Sequence, residues 1–142
     1  MTPPNIKEAV TLDEVLAIAS APVNTTVERR IRAAAEFWYL SGIRIGAFNS
    51  LPILAVDISK IMVMQHPNLG VRTKNGKYDT TYLLPIPELL DVVRQWDEEV
   101  RAILPETGFG FAPLSPDTGE IDTNCKEIGE HRPNLARRNL RV

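Results

Sequence analysis

Apolar and polar residues alternate along most of this chain with a helical period, interrupted by one stretch that reads as strand. Leu12, Val15, Leu16 and Ala19 share a helical face behind Thr11 and Glu14, which have capping-box spacing, and Ala21-Pro22 closes the run. Thr25 and Glu28 repeat the capping signal. Val27, Ile31, Ala34, Ala35 and Trp38 follow as a stripe expected to face the core, with Arg29, Arg30 and Arg32 at more polar positions. Ser41-Gly42 supplies a helix end, because glycine adopts the left-handed conformation at little cost, and a second, short helix is predicted from Arg44 to about Leu51-Pro52.

The texture changes at Val56. Ile58, Ile61, Val63 and Met64 read as strand, and His66-Pro67-Asn68-Leu69-Gly70 as a turn. Val71 to Lys74, Asn75-Gly76 and Lys77 to Leu84 then predict a hairpin, since Asn-Gly tolerates the positive φ angles of a type I′ turn; Lys74 and Lys77 flank its tip. Pro87 suits a first helical turn, and Leu89, Val93, Trp96, Val100 and Ile103 form the next apolar stripe, with Asp91, Arg94, Asp97 and Glu98 largely off it. Past Pro105 the turn-rich stretch through Gly119 is expected to run over the surface while anchoring Phe109 and Phe111, and a last, basic helix is expected to begin near Pro133. Residues 1–10, with paired prolines, read as a flexible lead-in. The expected fold class is α+β: mainly helical with a small antiparallel sheet, in one domain spanning 11–142.

Composition narrows the functions available. A chain of 142 residues holds one ordinary core, and a net charge of −2 rules out a generally basic coat, so any nucleic-acid face is local. Cys125 is the only cysteine, which excludes a disulfide within the chain; with only His66 and His131 beside it, no metal site is expected. The start is not a basic leader followed by an apolar core, and no apolar run is long enough to span a bilayer, so a soluble, cytoplasmic protein is expected.

The order of elements carries a resemblance. A helix, the corner Ser41-Gly42-Ile43-Arg44, a short helix, a strand, a lysine-bearing hairpin ending at Leu84-Pro85 and an amphipathic helix are similar to the opening part of a tyrosine-recombinase (phage integrase) catalytic domain. The resemblance covers Thr11 to about Leu104 and is weaker beyond. It implies that Arg44 matches the family's first catalytic arginine and Lys74 its hairpin lysine. It also implies DNA as partner, no cofactor, and phosphate contacts from Arg72, Lys77, Arg137 and Arg138. In that family a tyrosine hydroxyl attacks a DNA phosphate to form a phosphotyrosyl bond. Arginine suits the developing charge because its planar fork gives two parallel hydrogen bonds to phosphate oxygens, and lysine can protonate the departing 5′ oxygen.

The chain departs from the family at informative places. The acidic residue usual three positions after the first arginine is Ala47, the His-x-x-Arg box is absent because His131 is followed by Arg132-Pro133-Asn134, and no tyrosine follows Tyr82. Without nucleophile or second arginine, this polypeptide is expected not to transfer strands by itself. The remaining readings are a non-catalytic DNA-binding module and a protein-interaction domain, the latter a homo-oligomer formed through the apolar surface that a half domain leaves uncovered. Residue by residue, Arg44 also reads as a surface ion-pair partner, Lys74 and Lys77 as protection of a strand edge, and the Arg132, Arg137, Arg138 and Arg141 cluster as a solvated helix face. Trp38 and Trp96 read as core, His66 as a solvated turn residue and Cys125 as an incidental thiol.

Overall fold

A computed structural model describes residues 11–123, which form four helices and a three-stranded antiparallel sheet. The expected basic helix, with Arg132, Arg137, Arg138 and Arg141, lies outside the described residues, as do the lead-in, Cys125 and His131. The α+β class stands. The helices are α1 (Leu12–Ser20), α2 (Thr26–Ser41), α3 (Ile45–Asn49) and α4 (Pro87–Arg101); the strands are β1 (Val56–Asp57), β2 (Met62–Gln65) and β3 (Asp79–Tyr82).

Local signals set the helix starts as expected. Thr11 and Thr25 each accept from the amide three residues on, and Glu14 and Glu28 reach back to the cap amide, closing two capping boxes. Gly42, at φ 64, ends α2 with its N–H donated to the Trp38 carbonyl. Arg44 then stands at the start of α3.

Helix α2 packs across α4 and α1, but not through the expected stripe. Ala33, Phe37 and Leu40 are buried, whereas Val27, Ile31 and Trp38 are exposed, Ile31 to 61 %. The arginines explain the rotation. Arg29 makes a forked contact with Glu99 of α4 at 3.0 and 2.9 Å. Arg30 donates to the backbone carbonyls of Ala112 and Phe111, and Arg32 to that of Ala21 just past α1. Carbonyls of irregular buried backbone need donors, and a long forked side chain on the facing helix supplies them, so residues that look polar in sequence sit at the helix interfaces. Glu36 lies on the same side, fully buried, with neither carboxylate oxygen hydrogen-bonded; burial pushes its carboxyl up to about 7 against the pull of Arg32.

The segment after Pro105 also differs from expectation. Gly108 to Ala112 is buried rather than superficial. Its backbone lies along residues 51–54: Ile53 N–H donates to the Gly108 carbonyl, Gly110 N–H to that of Leu51, and Pro52 bridges Phe109. Phe111 stacks on Phe48 at 4.8 Å, Phe48 on Trp38 at 4.3 Å, and Trp96 donates its indole N–H to the Gly110 carbonyl. Trp96 is thus core, while Trp38 sits half out, and Ile103 falls off the α4 stripe, 48 % exposed.

The sheet runs in the order β1-β2-β3, and here the hairpin expectation is corrected. β3 pairs with β2, with Met62 opposite Tyr82 and Gln65 opposite Asp79, not with Val71 to Lys74. Val71 is buried in the core outside any strand, and residues 66–78 form a long connection. The turn chemistry itself holds: Asn75 and Gly76 take φ 59 and 67, Lys77 N–H donates to the Lys74 carbonyl, and the Thr73 hydroxyl clamps the Lys77 carbonyl at 2.7 Å. His66 is not merely solvated, since its ring lies against Tyr78 and its Nε2 meets the Thr80 hydroxyl at 3.3 Å.

Candidate phosphate-binding cleft

Three stretches of chain converge on one open cleft of about 500 Å³. The corner at Ser41 to Arg44, with Ala47 of α3, forms one wall. The connection contributes Arg72, Thr73, Lys74, Lys77 and Tyr78, and the sheet contributes Gln65, Asp79 and Thr81. Every described residue expected to contact DNA, Arg44, Arg72, Lys74 and Lys77, therefore lines the same concavity, although the chain separates the first from the others by the whole of β1 and β2.

Each position has a local cause. Gly42 reverses the chain at φ 64, and Trp38 locks the corner by donating its indole N–H to the Ile43 carbonyl at 3.0 Å. Arg44 emerges as the residue before the first turn of α3, where no side chain caps the free amides. Leu84 N–H, just past β3, donates to the Leu40 carbonyl, which holds the sheet against the end of α2. The Asn75-Gly76 turn then places Lys74 and Lys77 on either side of a tight tip.

The electrostatics are one-sided. Among the described residues, the side chains of Arg44, Arg72, Lys74 and Lys77 make no hydrogen bond or ion pair, and Asp79 is the only carboxylate lining the cleft. Surface arginines elsewhere are engaged: Arg94 with Asp91, Arg101 with Asp97, Arg29 with Glu99. Four cations facing one concavity without internal partners repel one another and draw an anion in. Ala47, buried beside Arg44 in the cleft wall, offers that guanidinium no partner.

Sequence reasoning missed Gln65, Tyr78 and Thr81 as lining residues. Tyr78 is 61 % exposed at the rim. Its aromatic character beside Lys77 was visible, but only the pairing of β2 with β3 brings it to the arginine corner. Among the described residues, no group of histidine, cysteine or carboxylate side chains is placed to hold a metal ion, and no helix is long and apolar enough to cross a membrane. Comparison of the chain with protein-family models, curated proteins and solved structures finds no match.

Proposed function

We propose that the cleft binds the phosphate backbone of DNA, and that the domain is the arginine- and lysine-bearing half of a tyrosine-recombinase-like strand-transfer site. The observation that carries this is the meeting of four unpaired cations from distant stretches of chain in one concavity. Arg44 and Arg72 have the fork geometry that takes two non-bridging oxygens, and Lys74 and Lys77 add point charge at the turn. With no tyrosine beyond Tyr82 and no His-x-x-Arg box in the sequence, the expected activity of this polypeptide is binding, not strand transfer. Titration of a labelled 20-base-pair duplex at several salt concentrations tests the reading. Neutralising four phosphates predicts a slope of log affinity against log salt of roughly −3.6. A flat slope, or no binding at low salt, removes it. A covalent adduct trapped on nicked DNA would overturn the expectation of inactivity.

A second reading, self-association, is favoured by the outward stripe Val27, Ile31 and Trp38 on α2. One such patch suffices for a two-fold dimer, because the same surface serves both copies. Light scattering across a concentration series tests it, and a monomer mass throughout refutes it.

A further inference from the structure

The cations of the cleft ride on two pieces of chain that lie far apart in sequence. Arg44 belongs to the corner and α3; Arg72, Lys74 and Lys77 belong to the connection between β2 and β3. Among the described residues, a single hydrogen bond joins segment 41–50 to segment 71–78, and Ser50 makes it. Ser50 caps the end of α3, 2 % exposed, and its hydroxyl works in two directions. It donates to the Gly46 carbonyl one turn back at 2.8 Å, and it accepts from the Arg72 N–H at 2.7 Å.

We infer that Ser50 is a positioning residue that sets the spacing between Arg44 and the Arg72–Lys74–Lys77 group, so that both can engage the same phosphates. α3 is short enough to act as a rigid strut, with Arg44 before its first residue and Ser50 after its last. Its middle is held by Ala47 and by Phe48, which is clamped between Trp38 and Phe111. The strut is therefore fixed to the core; the connection is anchored at its start by buried Val71, and the Ser50 hydroxyl ties the next residue, Arg72, to the strut. Serine is suited to the post. Its single proton goes to Gly46 while its lone pairs remain for Arg72, in a space where the neighbouring Leu51 is fully buried. Alanine would fill the space but leave the Arg72 amide without this acceptor, releasing the connection without removing any charge.

This inference rests on the phosphate reading of the cleft, and its test separates the two. Duplex affinity, amide hydrogen exchange and urea stability are measured for the full chain and for Ser50→Ala, Ser50→Cys and Ser50→Thr. Ser50→Ala and Ser50→Cys should weaken duplex binding about tenfold and accelerate exchange at the Arg72 amide, while Ser50→Thr, which keeps the hydroxyl, should restore both. In the native chain, Arg44→Ala and Lys74→Ala should lose less together than the product of their separate losses, because one bound phosphate is shared; in the Ser50→Ala background their effects should multiply. A role confined to stability would lower the urea midpoint and leave that coupling intact. Native binding that is unchanged in folded Ser50→Ala, or coupling that survives it, overturns the inference and leaves the phosphate reading standing. Absence of native binding at low salt overturns both. Should Ser50→Ala not fold, Ser50→Cys decides between the same outcomes at nearly native volume.

Discussion

Replacing Glu36 by glutamine should free the fold from a pH dependence that one buried carboxyl imposes. Glu36 is fully buried in α2, its two oxygens unbonded, and its carboxyl is pushed up to about 7 from 4.5 by burial. The charged residues of the helices packed on α2 do not relieve it. On α1, Glu14 is spent in its capping box and Asp13 is exposed; on α4, Glu99 is paired to Arg29, Asp91 to Arg94 and Asp97 to Arg101, while Glu88, Glu98 and Gln95 offer no cation. Arg32 alone acts in favour of the ionised form, and one of its own nitrogens is donated to the Ala21 carbonyl. The sign follows from proton binding. Between pH 4.5 and 7 the native state holds a proton that the unfolded chain has released, so the contribution of Glu36 to stability falls as pH rises through that window and is constant outside it. The full cost at pH 8 relative to pH 4 is on the order of 3 kcal/mol. Urea unfolding followed by the fluorescence of buried Trp96, at steps from pH 4.5 to 8, measures it. The stability difference between native chain and Glu36→Gln should shift in favour of the variant by that amount across the window, with m unchanged. Parallel pH profiles would refute the reasoning.

Other outcomes follow from the same structure. Each of Arg44→Ala, Arg72→Ala, Lys74→Ala and Lys77→Ala should reduce the salt slope of duplex binding by about 0.9 while leaving the free energy of urea unfolding within about 0.5 kcal/mol of native, since these side chains are exposed and make no hydrogen bond or ion pair among the described residues; a slope unchanged in all four refutes the cleft. Gly42→Ala should destabilise by about 1 kcal/mol through backbone strain at φ 64, because a Cβ there meets no atom within 4 Å; an unchanged thermal midpoint would show that the corner relaxes freely. Phe37→Ala, which opens a cavity at a fully buried ring set against Phe48 and Phe111, should cost about 3–5 kcal/mol by urea unfolding, and a loss under about 1 kcal/mol would refute its place at the centre of the core.

What could be read from residues alone was whatever is settled within a few positions of chain. The capping boxes at Thr11 and Thr25, the left-handed exit at Gly42, the Asn75-Gly76 turn and the course of α4 depend on contacts between near neighbours, so their signals lie in adjacent letters. Arg44 and Lys74 are candidates only through the resemblance of the element order to a recombinase domain, since neither the corner nor the turn singles them out alone. Which face of α2 turns inward was not legible, because the deciding partners, Glu99 and the carbonyls of Phe111 and Ala112, lie some seventy to eighty residues away and make arginines the better interface residues. The partner of β3 escapes local reading for a similar reason. β3 pairs with β2, with Val63 opposite Thr81, across the long connection 66–78, and not with the segment just before the Asn-Gly turn. Tertiary structure alone decided that Arg44 shares a cleft with Arg72, Lys74 and Lys77, that Ser50 joins the two halves of that cleft, and that Glu36 is left without a partner. Each depends on distances between segments that meet only when the core closes, and local propensity carries no information about such distances.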